Sequence, residues 1–129
     1  MVKRAVVIDD KVLMGAEISD ILTYSGFEVK SWKDPQEALK YILENKENID
    51  IIFTDYDMPE LDGPALIKKI RAEGYEQPIV VLTADLNKER SDAAHKAGAS
   101  KVYGKMTFIQ YILPEVYRKR SDETLEEYL

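Results

Sequence analysis

The chain lacks cysteine altogether, which excludes disulfide bonds, thiolate metal sites and thiol nucleophiles. Long apolar runs are also absent, since no stretch approaches the length that spans a bilayer. The four apolar residues that follow Met1-Val2-Lys3-Arg4 are too few for the hydrophobic region of a signal peptide. These absences predict a cytoplasmic protein that does not enter a membrane.

Positive charge is in short supply, with 18 Lys and Arg against 24 Asp and Glu and a net charge of −6. This balance opposes binding to nucleic acid or to anionic membranes, so we expect neither as a partner. Residues 121–129 hold four acidic and no basic residues. With 129 residues, of which 45% are hydrophobic, the chain predicts one domain over 1–120, followed by an acidic tail or linker stub over 121–129.

Short apolar runs alternate with segments of helical periodicity. Three runs, Ala5–Ile8, Ile51–Phe53 and Ile79–Leu82, are rich in β-branched residues and are typical of strands buried on both faces. Weaker strands are predicted over 26–32 and 101–103. Five strand-then-helix units with short connections predict a three-layer α/β/α sandwich around a parallel sheet of five strands.

The helix boundaries carry local signals. Asp34-Pro35 and Pro64 mark the starts of the second and third helices, and Gly98 marks the end of the fourth, over 86–97. We expect Thr107 to cap the fifth helix and Pro114 to bend or interrupt it.

Polar residues follow the predicted strands at the edge where such sheets place their functional crevice. Asp9 and Asp10 follow the first strand, Asp55 and then Asp57 follow the third, Thr83 follows the fourth and Lys105 the fifth. Neighbouring carboxylates repel one another unless a cation neutralises them. Oxygen ligands without His or Cys favour a hard cation, and few protein ligands with room for water and phosphate favour Mg²⁺.

A carboxylate beside Mg²⁺ can act as the nucleophile towards a phosphoryl group. A hydroxyl and an ammonium placed opposite would stabilise the phosphoryl oxygens. The residues at the strand ends therefore predict a site that forms an aspartyl phosphate.

These residues lie in motifs that resemble a response-regulator receiver domain, over roughly 2–120. The motifs are Val-Val-Ile-Asp-Asp at 6–10, D-x-x-M-P-x-L-D-G at 55–63, Leu-Thr-Ala at 82–84, and Gly-Ala at 98–99 with Lys105 seven residues after Gly98. The resemblance implies a sheet of order 2-1-3-4-5, with Asp55 as the acceptor of a phosphoryl group from a histidine kinase, a phosphotransfer protein or a small donor.

The resemblance also implies roles for the other residues. Asp10, Asp55 and the backbone carbonyl of Asp57 would bind Mg²⁺, with Asp9 acting through water. Thr83 would bond a phosphoryl oxygen and Lys105 would pair with the acceptor. Phosphorylation would then switch the face made by the fourth helix, fifth strand and fifth helix. That face would bind a downstream protein and is also a candidate for homodimer contact.

Three departures from the family pattern leave an alternative open. Val102 stands where an aromatic is usual, Tyr103 is its neighbour, and Met106 replaces a proline that is usually cis. With Pro114, these favour the alternative of a pseudo-receiver, which binds partners without phosphorylation. The pair Asp55-x-Asp57 alone also fits haloacid-dehalogenase-type phosphatases, but in those the paired acids come later in the sequence.

Overall fold

The structure, a computed structural model, describes residues 2–112, 114, 115 and 118. Its five strands form one parallel sheet in the order β2-β1-β3-β4-β5, which confirms the predicted architecture and strand order. The strands are β1 (Arg4–Ile8), β2 (Glu28–Trp32), β3 (Ile51–Asp55), β4 (Ile79–Thr83) and β5 (Lys101–Gly104). The central strands β3 and β4 are buried along their whole length.

The helices are α1 (Val12–Tyr24), α2 (Pro35–Asn45), α3 (Gly63–Ala72), α4 (Lys88–Ala97) and α5 (Lys105–Thr107), with a 3-10 turn at Lys46–Asn48. Local signals explain the starts of α2 and α3 and the end of α4. Asp34 and Asp62 accept hydrogen bonds from the first turns of α2 and α3, each with a proline beside the cap. Gly98 ends α4 at a φ of 119°, a conformation that favours glycine.

Alternate residues of the strands enter two separate cores. Val6 and Ile8 pack with α2, α3 and α4, whereas Ala5 and Val7 pack with α1 and the segment after α5. This alternation follows from the period of two in a strand, and it produces the three layers of the sandwich.

The fifth helix differs from its sequence prediction. It begins at Lys105 with Gly104 as the N-cap, so Thr107 lies inside the helix and is not its cap. The following residues, Phe108–Ile112, form a π-helical turn. This widening comes just before Pro114, which lacks an N–H and whose ring crowds the carbonyl four residues earlier.

In the part of the chain that the structure describes, no helix combines the length and the apolar character needed to cross a membrane. The predicted tail, 121–129, lies outside the described residues.

Candidate functional site

The predicted site residues lie at the carboxyl end of the sheet. Asp55 and Thr83 are the last residues of β3 and β4, and Asp9 follows β1 directly. Lys105 reaches the same edge because β5 ends at Gly104 and α5 begins without an intervening loop. The parallel register of β1, β3 and β4 brings these strand ends together.

The three carboxylates of Asp9, Asp10 and Asp55 form a tight cluster. Each offers an oxygen, and these oxygens all lie within 4.8 Å of one another. Asp9 and Asp55 are 4% and 3% exposed, so solvent does little to reduce their repulsion. Asp10 Oδ1 is buried and has no hydrogen-bond partner among the described residues. A buried carboxylate oxygen without a partner, beside two other carboxylates, fits a site for a hard cation.

Lys105 supplies positive charge to this cluster. Its Nζ lies 2.9 Å from Asp55 Oδ2 and 3.0 Å from Asp9 Oδ2, and its side chain is almost completely buried. The sequence predicted a pairing with Asp55 but gave no signal of the contact with Asp9. Asp9 Oδ1 also accepts a hydrogen bond from the backbone N–H of Lys11 at 2.9 Å.

Burial and charge oppose each other at both partners of the ion pair. Burial raises the pKa of the Asp55 carboxyl to about 6, although Lys105 acts in the opposite direction. Burial alone would lower the pKa of Lys105, but its contacts with Asp55 and Asp9 raise it overall. At neutral pH the pair is therefore a carboxylate and an ammonium ion.

The loop after β3 is held close to the site by a glycine. A Cβ on Gly63 would lie 2.7 Å from the carbonyl oxygen of Asp55, and the N–H of Gly63 donates to the carbonyl of Tyr56 at 2.8 Å. A side chain at this position would push the start of α3 away from the end of β3. The loop it closes presents Asp57, whose exposed carboxylate lies outside the cluster of three.

A residue that the sequence analysis missed joins Asp57 to Thr83. Arg90, in the first turn of α4, donates two hydrogen bonds to the Asp57 carboxylate, at 2.8 and 3.0 Å. Its Nη1 is also 3.4 Å from Thr83 Oγ1. The sequence signal was slight, since Arg90 has only its position seven residues after Thr83 to distinguish it from other surface cations.

Val102 and Tyr103 lie on opposite faces of β5. Val102 packs against the core of α2, α3 and α4, whereas Tyr103 packs against the other core, with its ring 5.8 Å from that of Phe108. Tyr103 therefore does not replace the aromatic that the family pattern places at position 102.

The comparisons with known proteins agree with the motifs. The sequence profile described as "Response regulator receiver domain" matches residues 5–113. A chemotaxis protein CheY homolog of Campylobacter jejuni is 30% identical over 125 residues, which cover 95% of this chain and 92% of that protein.

Two plant proteins are also similar. A protein of Arabidopsis thaliana named as a two-component response regulator is 39% identical over 86 residues, which are 67% of this chain but 14% of that protein. The receiver domain of the histidine kinase CKI1 from Arabidopsis thaliana, solved with Mg²⁺, has a TM-score of 0.78 and 26% identity. The match covers 91% of this chain and 90% of the solved one.

Proposed function

The chain belongs to the response regulator receiver family, and we propose that its Asp55 accepts a phosphoryl group from a phosphohistidine. The observation that carries this proposal is the placement of Asp55, buried between two acidic neighbours and 2.9 Å from Lys105. Family membership also removes the haloacid-dehalogenase interpretation of Asp55-x-Asp57.

Asp10 Oδ1, buried and without a partner among the described residues, argues for a divalent cation at the carboxylate cluster. Asp10, Asp55 and the backbone carbonyl of Asp57 would hold Mg²⁺, with Asp9 acting through water. The bound ion would neutralise negative charge on the phosphoryl oxygens and on the carboxylates. The Mg²⁺ in the structure of the plant receiver domain supports this assignment.

In the proposed reaction, a carboxylate oxygen of Asp55 forms a bond to phosphorus. The P–N bond of phosphohistidine breaks, or the P–O bond of acetyl phosphate, and the electron pair leaves with imidazole or acetate. Lys105 and the hydroxyl of Thr83 would donate hydrogen bonds to the phosphoryl oxygens. The chain therefore assists its own phosphorylation and, more slowly, the hydrolysis of the phosphate on Asp55. It does not convert a separate metabolite.

Phosphorylation is proposed to change the face formed by α4, β5 and α5, which would bind a partner. Thr83 ends β4 directly before the loop to α4, and Lys105 begins α5, so a change at either residue acts on that face. Met106 and Tyr111 are 54% and 69% exposed there, which suits binding of a downstream protein or a second copy. The protein would act in the cytoplasm, with a histidine kinase or a phosphotransfer protein as its upstream partner. The domain would span 1–120, before a tail over 121–129.

A pseudo-receiver is the second candidate. It is favoured by the contact of Lys105 with Asp9, which places an ammonium against the cluster that Mg²⁺ would occupy, and by the packing of Val102 in the opposite core from Tyr103. Such a protein would bind its partner equally well whether or not phosphodonor and Mg²⁺ are present.

Intact-mass measurement separates the two candidates. Wild type and Asp55→Asn are incubated with acetyl phosphate and Mg²⁺, and separately with a phosphorylated histidine kinase. One phosphoryl group on wild type, absent from Asp55→Asn and abolished by EDTA, is the expected result. No uptake from either donor, together with no heat of Mg²⁺ binding by calorimetry, would overturn the proposal in favour of the pseudo-receiver.

A further inference from the structure

The guanidinium group of Arg90 lies beside Thr83 and Asp57, next to the proposed phosphorylation site. Arg90 makes a two-pronged contact with the carboxylate of Asp57, and its Nε lies 3.9 Å from Asp85 Oδ2. Its guanidinium carbon is 4.4 Å above the centre of the Tyr56 ring. Arg90 in α4 therefore fastens both loops that border the site, the one after β3 and the one after β4.

Arg90 also takes part in the hydrogen bonding of the Thr83 side chain. Its hydroxyl oxygen accepts from the backbone N–H of Asp85 at 3.2 Å and from Arg90 Nη1 at 3.4 Å. A hydroxyl group has two acceptor lone pairs and one donor proton. With both lone pairs engaged, the remaining capacity of Thr83 is to donate, which is what a phosphoryl oxygen requires of it.

Arg90 also changes the charge that an incoming ligand meets. Phosphodonors are anions, and Asp57 and Asp85 stand at the entrance with side chains 56% and 77% exposed. Lys105 is buried beneath the carboxylate cluster, whereas the side chain of Arg90 is 24% exposed. Arg90 is therefore placed to offset the two exposed acids where the donor arrives.

We propose that Arg90 is a positioning residue for phosphoryl transfer, which screens Asp57 and Asp85 and keeps Thr83 oriented as a donor. The inference rests on the proposed function of Asp55. It assigns to α4 an indirect part in the reaction, because Arg90 contacts Thr83 and the two loops and not the phosphoryl group.

Loss of this cation should move two measurements in opposite directions. Arg90→Gln should slow phosphoryl uptake from acetyl phosphate at low ionic strength by roughly threefold to tenfold, because two unscreened acids repel the donor and Thr83 loses a partner. The same variant should bind Mg²⁺ roughly twofold to fivefold more tightly, because a positive charge near the carboxylates is gone. If Arg90 had a purely structural role, Arg90→Gln would lower both the rate of phosphoryl uptake and the affinity for Mg²⁺.

Two further variants separate charge from geometry. Arg90→Lys should restore wild-type Mg²⁺ affinity, since it keeps the charge, but only part of the uptake rate, since an ammonium cannot reproduce the two-pronged contact. Lys88→Gln is the matched control: it removes a cation from the same turn of α4, one that pairs only with Asp92 among the contacts seen, and it should match wild type in both measurements.

The experiment measures the initial uptake rate by intact mass, Mg²⁺ affinity by calorimetry, and the urea midpoint of each variant to establish that it is folded. Equal rates for wild type and Arg90→Gln, or Mg²⁺ affinity that falls together with the rate, would overturn the inference and leave the proposed function standing. Absence of phosphoryl uptake by wild type itself would overturn both.

Discussion

At the amino-terminal end of the sheet, Arg71 donates hydrogen bonds to the carbonyls of Tyr75, Gln77 and Gly98, at 2.7 to 3.0 Å. At the carboxyl end, two buried carboxylates share the ammonium of Lys105, and Asp10 keeps an oxygen without a partner among the described residues. Both ends contain charge in a confined space, but only at the second does a buried carboxylate oxygen lack a hydrogen-bond donor among the described residues. Charge therefore secures the fold at one end, whereas at the other it leaves a buried carboxylate oxygen unpaired among the described residues.

The largest effect should come from removing the arginine of the amino-terminal end. Arg71→Ala should lower the free energy of unfolding by about 2–4 kcal/mol, because charged hydrogen bonds to three carbonyls and the contact with the Tyr75 ring are lost. Urea denaturation measures the change. Arg71→Lys should recover less than half of it, since an ammonium cannot span the same carbonyls. A loss below about 1 kcal/mol for Arg71→Ala would remove the contrast between the two ends.

At the carboxyl end, neutralising a carboxylate should have the opposite sign. In the absence of metal at neutral pH, Asp55→Asn should raise the free energy of unfolding by about 1–3 kcal/mol, because burial raises the pKa of Asp55 and its charge is costly to keep folded. Mg²⁺ should then raise the melting temperature of wild type more than that of the variant. The melting temperatures are measured by calorimetry with and without Mg²⁺. An equal rise in melting temperature for wild type and Asp55→Asn would contradict the proposed metal site.

The pH dependence of the free energy of unfolding, compared between wild type and Asp55→Asn, tests whether charge causes the difference in stability. The folded chain holds the Asp55 proton up to a pKa of about 6, whereas the unfolded chain releases it near the ordinary value of 3.8. Between these values Asp55 binds more protons in the folded state, so the contribution of Asp55 to the free energy of unfolding falls as pH rises. The Asp55→Asn variant has no such contribution. The excess of its free energy of unfolding over that of wild type should therefore grow from about pH 4 to about pH 7. An excess independent of pH would show that charge is not its cause.

The smallest effect should come from a strained residue near the site. Glu60, in the loop after Asp57, has a φ of 70°, which is unfavourable for a residue with a Cβ. Glu60→Gly should raise the free energy of unfolding by about 0.5–1 kcal/mol, measured by urea denaturation. Glu60→Ala keeps the Cβ and should give no such gain. If the two variants are equally stable, the carboxyl end holds no backbone strain at this loop.

The layers of this fold could be predicted because they depend on local patterns, whereas the strand order was implied by the resemblance to receiver domains. Apolar runs predict β1, β3 and β4, and Asp34-Pro35 and Pro64 predict the starts of two helices. The start of α5 could not be predicted in this way. Thr107 is a good cap in isolation, but the chain turns into a helix directly at Gly104 because β5 ends there.

The residues of the site were easier to identify than their contacts. Asp9 follows β1, and Asp55 and Thr83 end β3 and β4, so sequence position alone places them at one edge of the sheet. Arg71 and Arg90 lie on helices, where their importance depends on which loop each helix faces. That orientation is set by tertiary packing, which a pattern along one helix does not contain.

The two separate cores have a consequence for how such a protein can diverge or be redesigned. Ala5 and Val7 meet one set of helices while Val6 and Ile8 meet the other, so the sheet backbone is the main structure that the two halves of the interior share. We therefore expect that the helices on one side can be exchanged with those of a distant relative while the opposite half keeps its packing. A chimera that exchanges α4 should therefore carry Arg90 together with the two loops that Arg90 contacts.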